Sequence, residues 1–251
     1  PAAVRANITG LLVEIGCSDF YTMDEVSLDH AQHRNDYLLS FEPMLDKYAV
    51  LLARGTARQH NRSIDRGVAL GQFHPRGTVL PFAVSLEGGP QTFTVSKQAG
   101  CSSLLNISSW FTDALQRYSW APFCHEVLEK RTVDTISALQ LAALLPRRLP
   151  IRVLKIDAQG LDLKLMMAMP DEVWERTQAV QLEARLRRCK PLYEGQESCE
   201  EMVEAMVRRG FKPRAECRPG CPHCGSKTTC EQNVLFVRPG WKHIDLPAWN
   251  K

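Results

Sequence analysis

Gly16 and Glu42 are the residues of this sequence best suited to holding a nucleoside. Gly16 closes the run Leu11-Leu12-Val13-Glu14-Ile15, where the lack of a Cβ permits a tight turn and close approach of the backbone to a ligand. Glu42 closes Leu38-Leu39-Ser40-Phe41, and a carboxylate at the end of such a run can accept both hydrogen bonds of a ribose diol. The two stand 26 positions apart (42 minus 16), against about 20 in dinucleotide-binding folds. Each run is short and apolar and stops at acidic, glycine or proline punctuation, the pattern of a buried strand. Together they describe a nucleoside crevice at the carboxyl edge of a parallel sheet. After Gly16 the chain reads Cys17-Ser18-Asp19-Phe20, without the last glycine that a pyrophosphate needs for close helix packing, which disfavours an NAD-type dinucleotide.

The elements that must position these residues alternate between strand and helix. Strands are expected at Leu11–Ile15, Tyr37–Phe41, Val79–Val84, Ile151–Ile156 and Ala179–Glu183, with an edge strand at Gln91–Val95. Helices are expected within Met23–Gln32, where Thr22 and Glu25 have capping-box spacing, then over Met44–Gln59, Ser137–Leu145, after Asp162, and over Cys199–Arg209. Segments near Phe211–Cys217 and Gln232–Val237 should close the sheet as an antiparallel hairpin. This order predicts an α/β fold: a doubly wound, mostly parallel seven-stranded sheet with a terminal antiparallel hairpin. Residues 96–131, with Trp110, Phe111, Trp120 and Phe123, read as a partly helical lid or recognition insert. The whole of 1–251 reads as a single domain carrying that insert and a Cys-rich hairpin loop at 217–230.

The string Val13-Glu14-Ile15-Gly16-Cys17-Ser18 resembles the first motif of class I methyltransferases. The stretch Lys155-Ile156-Asp157-Ala158-Gln159-Gly160-Leu161-Asp162 resembles a motif of the FkbM family within that class. Phe41-Glu42-Pro43, Ala83-Val84-Ser85, Gly100-Cys101-Ser102-Ser103-Leu104, Thr132–Ile136 and Glu231–Val237 follow in the same order. The resemblance implies a Rossmann-like fold that binds S-adenosylmethionine. Glu14 would then face the methionine amino group, Gly16, Cys17 and Ser18 would offer backbone contacts, Phe41 and Glu42 would meet the ribose, and Ser85 the adenine edge. Asp157 would lie beside the departing methyl, with Asp157 or His125 as the base and Glu183 bordering the same crevice. Gln159 and Asp162 depart from the family, which usually has Glu at both positions. With Gln159 in place of an acid, a catalytic Mg²⁺ is not expected. The implied activity is O-methylation of a sugar or secondary-metabolite hydroxyl on a small-molecule or glycan acceptor. The alternative is a catalytically inactive binding or scaffold domain that keeps the methyltransferase fold.

Composition agrees with a globular domain: 251 residues, 44% hydrophobic and 24% charged. A net charge of +3 is too small to argue for nucleic acid or a polybasic membrane contact. No apolar run reaches membrane-span length; the longest, Ile136–Leu145, is interrupted by Ser137 and Gln140. The chain opens on Pro1 rather than methionine, as a trimmed or processed product would. Of nine cysteines, Cys17, Cys101, Cys124, Cys189 and Cys199 are scattered and read as buried, inert thiols. Cys217, Cys221, Cys224 and Cys230 are clustered, and Cys-Pro-x-Cys-Gly resembles a zinc knuckle. The competing reading is one or two disulfides, and a third is a loop of four free thiols. Structural zinc would favour the cytoplasm; disulfides would favour a secretory or organellar compartment.

Overall fold

The apolar runs around Gly16 and Glu42 form adjacent strands in a computed structural model, which describes residues 7–17, 23, 33–54, 77–109, 121–217 and 230–241. β1 (Gly10–Ile15) and β2 (Asp36–Phe41) pair in parallel, and β3 (Gly77–Leu80) extends the sheet beyond β2. Between β2 and β3 lies α1 (Leu45–Arg54), entered through Pro43. The expected helix within 23–32, its Thr22 cap, and the second half of the helix expected to reach Gln59 lie outside the described residues.

The third strand departs from expectation. Pro81 has no N–H to continue a ladder, so β3 stops at Leu80 and β4 (Ala83–Ser85) begins a different sheet. That sheet has three strands in the order β4-β6-β5, with β5 (Gly89–Ser96) antiparallel to β6 (Val127–Ser137). The region read as an insert therefore contains a 3₁₀ turn at Ala99–Cys101, the short α2 (Ala121–His125) and the start of β6. Trp110, Phe111 and Trp120 lie outside the described residues.

α3 (Ala138–Leu144) starts at a full capping box: Ser137 Oγ accepts from Gln140 N, and the Gln140 side chain accepts from Ser137 N. β7 (Ile151–Ile156) matches its predicted bounds and pairs in parallel with both β1 and β8 (Thr177–Arg185). Between them Pro170 divides the helical stretch into α4 (Asp162–Met167) and α5 (Asp171–Arg176). α6 (Cys199–Arg208) begins at a second capping box, Ser198 with Glu201. β9 is reduced to Lys212–Pro213, and β10 (Glu231–Val237) runs antiparallel between β8 and β9. The main sheet reads β3-β2-β1-β7-β8-β10-β9. It is a seven-stranded, mostly parallel, doubly wound sheet with a terminal antiparallel hairpin, as the order of elements predicts.

Side-chain alternation splits the core into two. Leu11, Val13, Ile15, Leu154, Ile156 and Val180 face the larger core, closed by Leu141 of α3, Leu165 of α4, Trp174 of α5 and Met206 of α6. Leu12, Leu38, Val153 and Ala179 face the smaller core with Met23, Cys17 and Leu51 of α1. On this second face only the amino half of the sheet is apolar. The carboxyl half carries polar groups.

The cysteines correct the sequence-based expectation. Cys217 bonds to Cys199 and Cys230 to Cys189, while Cys101 bonds to Cys124. Two of the four proposed zinc ligands are thus consumed by cysteines that had read as inert, and Cys221 and Cys224 lie outside the described residues. Among the described residues no group of three or more His, Cys, Asp or Glu is placed to hold a metal ion. The physical reason is distance: β8 and β10 are neighbours, so Cys189 and Cys230 meet at their ends across 41 positions of chain. Cys17 stays a buried thiol. Three disulfides among the described residues are the cysteine usage of an oxidising compartment. Cys189→Ser with Cys230→Ser is expected to lower stability by about 4 kcal/mol, the loop-closure entropy of a loop that long. An unchanged urea midpoint with the pair removed would contradict this. No described helix is long and apolar enough to cross a membrane.

Candidate functional site

Strand register places the candidate residues in two rows. Ile15 lies opposite Phe41 and Ile156, and Ile156 opposite Leu182. One residue further along each strand stand Glu42, Gly16, Asp157 and Glu183, a row along the carboxyl edge of the parallel sheet. One residue before the Ile15 row, Ser40, Glu14, Lys155 and Gln181 form a second row in mutual register. Ligands of open α/β sheets bind in the crevice outside these carboxyl ends.

The lower row is a closed polar network. Lys155 Nζ donates to Glu14 Oε1 at 3.0 Å, and Glu14 Oε2 accepts from Met23 N at 2.9 Å and from Ser40 Oγ at 3.3 Å. Glu14 is fully buried and Lys155 is 4% exposed. Burial raises the Glu14 carboxyl above its ordinary value although Lys155, Met23 and Ser40 oppose the shift. Burial by itself would lower the Lys155 ammonium, but Glu14 and Asp157 outweigh it and the net direction is upward. A buried pair satisfied this way is costly to break from one side. The structure thus sets Glu14 beneath the carboxyl edge, tying β1, β2 and β7 to the segment at Met23.

The upper row begins at a crowded turn. Gly16 has φ +74°, and a Cβ built on it would collide with the Asp157 carbonyl oxygen. The sequence argument placed the close approach at a ligand; in the structure it is made to the neighbouring strand. Phe41 O accepts from both Gly16 N (3.0 Å) and Cys17 N (3.1 Å), while the Phe41 ring lies wholly in the core. Asp157 N donates to Ile15 O at 2.9 Å. Glu42 N donates to Leu80 O, and Glu42 Oε1 accepts from Met44 N at 2.9 Å, which holds the carboxylate over the entrance to α1.

Asp157 and Glu183 head a cluster that sequence reasoning saw only in part. Gln159 Nε2 donates to Asp157 Oδ1 at 2.8 Å and to Glu183 Oε2 at 3.2 Å. Tyr193 Oη lies 2.6 Å from Gln159 Oε1 and 3.1 Å from Cys101 O. Asp162 Oδ2 accepts from Gly160 N and Oδ1 from Glu183 N. Glu183 is raised well above the usual carboxylate range by burial first, then by Asp157, Glu231 and Asp162. Asp162 is likewise raised, by burial and by Asp157. Glu231, at the start of β10, is pushed up to about 7 by burial and Asp157, with a Gln196 hydrogen bond and Arg185 opposing. Burial and the surrounding acids raise the Tyr193 phenol in the same way. With Glu231 near 7, the cluster can exchange a proton near neutral pH.

Other candidates lie elsewhere. Ser85 is off the carboxyl edge: it ends β4 in the second sheet, where Oγ meets Thr135 Oγ1 at 2.8 Å and accepts from Gly88 N and Gln91 Nε2. His125 ends α2, half-buried, and burial lowers its imidazole below the ordinary value. The adjacent Cys124 packs with Cys101, Leu192 and Tyr193, so α2 abuts the segment that holds Gln159. Ser18 lies outside the described residues. Sequence reasoning missed the roles of Lys155, Gln159, Tyr193 and Glu231. The available signals were a lysine inside an apolar strand and the Gln159-Gly160 turn two residues ahead of Asp162.

No family model matches this chain, and no curated protein matches it. Among solved structures it is similar to a chain of the fibrillarin/Nop5p complex, at 9% identity and a TM-score of 0.41 over 92% of this chain and 73% of that one.

Proposed function

We propose that this chain is an S-adenosylmethionine-dependent methyltransferase acting on a hydroxyl of a small-molecule or glycan acceptor, of the FkbM type that its motifs resemble. The observation that supports the reading is the row Glu42, Gly16, Asp157 on three adjacent parallel strands. Its carboxylate acceptors suit an adenosyl group without phosphates. Glu42 supplies a carboxylate for the ribose diol, and the glycine-rich diphosphate turn is lacking. When bound, the cofactor supplies a methyl group on a sulfonium, whose departure needs no acid. The chain's own part is to orient the acceptor oxygen and take its proton as the bond forms. Asp157 is the residue assigned to that proton, with His125 and Glu183 as the other candidates. Glu14 acts from below, through Lys155 and the Met23 backbone.

Glu42→Ala is expected to weaken S-adenosylhomocysteine binding by about 1–3 kcal/mol, the cost of an unpaired polar contact. Calorimetry that finds equal affinity removes Glu42 from the site. In thermal denaturation the wild-type chain should be stabilised by S-adenosylhomocysteine and not by NAD; no response to the former sinks the reading. An inactive binding domain is the second reading, favoured by Gln159 occupying both acids. A metabolite screen with labelled cofactor separates the two, since only an enzyme transfers label.

A further inference from the structure

We propose that Gln159 is the positioning residue of this site: its carboxamide holds Asp157 and Glu183 as an ordered pair and so aims Asp157 at the acceptor. The inference rests on the adenosyl-cofactor reading above and on Asp157 as the proton acceptor. Three observations carry it.

The first is conformational. Gln159 has φ +50°, the one non-glycine residue with positive φ among those described. A β-carbon in that region carries a cost that persists only where the surroundings over-determine it. Here they do. Ser103 Oγ donates to Gln159 O at 2.8 Å, and the Tyr193 ring fills the space where a Cβ on Gly160 would lie.

The second is chemical. A carboxamide has two donors on one nitrogen and an acceptor at its other end. The nitrogen serves two acids on neighbouring strands, and with its two N–H bonds about 120° apart it holds their oxygens roughly 5 Å from each other. Of the neighbouring cations, Lys155 donates to Glu14 Oε1, and Arg185 Nη1 and Nη2 donate to the carbonyls of Leu186, Cys189 and Gln196.

The third is orientational. An amide flipped end for end would set its carbonyl oxygen against two carboxyl groups. The Tyr193 hydroxyl has one proton, and its 2.6 Å approach to Oε1, against 3.1 Å to Cys101 O, gives that proton to Oε1 and so selects the productive orientation. Tyr193 in turn is held by the segment between β8 and α6, whose Ile107–Tyr193 bridge and Ser108–Leu192 hydrogen bond dock it on the 103–109 loop. The line of dependence runs Tyr193, Gln159, Asp157, and none of these steps requires a contact between Tyr193 and the acceptor.

The groups facing the pair are Lys155 on β7, Asp162 on α4, Glu231 on β10, Arg185 on β8 and Tyr193. The test is a ¹³C-carboxyl NMR titration of Asp157 and Glu183 in the full chain, in wild type, Gln159→Leu and Tyr193→Phe. Leucine keeps the volume and removes both donors. It should raise the lower of the pair's two macroscopic pKa values by about one unit, a tenfold change, as the acids come to share a proton. Tyr193→Phe should move it the same way by roughly half as much, through loss of amide orientation. A purely structural role would lower the unfolding midpoint and leave this titration where it was. Wild-type titrations in both variants overturn the proposal, and if Gln159→Leu does not fold, Tyr193→Phe decides alone. S-adenosylhomocysteine calorimetry on the same samples judges the cofactor reading separately: a wild-type chain that does not bind sinks that reading, whichever way the titration falls.

Discussion

Gly16→Ala is expected to cost about 4 kcal/mol of stability, enough to abolish the fold in a marginal domain. Two effects add. A β-carbon at φ +74° carries a strain of about 1–2 kcal/mol, and its overlap with the Asp157 carbonyl forces β1 away from β7, an overpacking cost of about 1–3 kcal/mol. Gly89 provides an internal control. It has φ +80° with nothing within 4 Å of a built Cβ, so Gly89→Ala should show the strain alone. Urea denaturation of the two variants isolates the collision as their difference, and equal losses would refute it. If Gly16→Ala folds, the displaced strand end should separate Glu42 from Asp157 and weaken S-adenosylhomocysteine binding as well.

Gln159→Glu is the second large effect, and it depends on pH. At pH 8 the substitution exchanges two donors for a third carboxylate beside Asp157 and Glu183, with an expected loss of about 3 kcal/mol. Near pH 5 a proton on the cluster restores a donor and most of that loss should vanish. The wild-type chain already leans the same way. Glu231 rises from 4.5 to about 7 on folding, so between these values the folded state binds more protons than the unfolded one. Stability from this group is therefore complete below 4.5 and is lost as pH rises through 7. Its size is at most about 3–4 kcal/mol at 1.36 kcal/mol per unit. Glu183 and Asp162, raised by burial, act in the same direction. Urea midpoints at pH 5 and 8 should show the wild type weaker at pH 8 and Glu231→Gln with a flatter dependence. A wild type that gains stability from pH 5 to 8 would contradict the assignment.

The two variants also separate what was legible in the residues from what was not. Gly16 could be singled out from its neighbours alone, because a glycine closing an apolar run has few other uses. Its partner in the structure is the Asp157 backbone rather than a ligand, and only the pairing of β1 with β7 reveals that. Gln159 reads in the sequence as a lost carboxylate. In space it is the donor that lets two other carboxyl groups stand side by side.

Local signals did well where the physics is local. β7 falls within its predicted bounds because a hexamer with four apolar residues between Pro150 and Asp157 carries its own punctuation. α3 and α6 begin where Ser137 with Gln140 and Ser198 with Glu201 can cap them, a choice made within four residues. The alternation of these elements was sufficient for the seven-stranded sheet and its closing hairpin. By itself the sequence determined the strands that carry Gly16, Glu42 and Asp157, the carboxyl-edge positions of these residues, and the fold class, but not β6 or the second sheet. Tertiary structure alone decided that Ser85 belongs to a second sheet, that Cys189 and Cys199 take Cys230 and Cys217, and that Lys155 neutralises Glu14. Each of these joins segments 18 to 141 positions apart. Backbone periodicity and capping act over a few residues, whereas such pairings depend on which strands become neighbours and in what register.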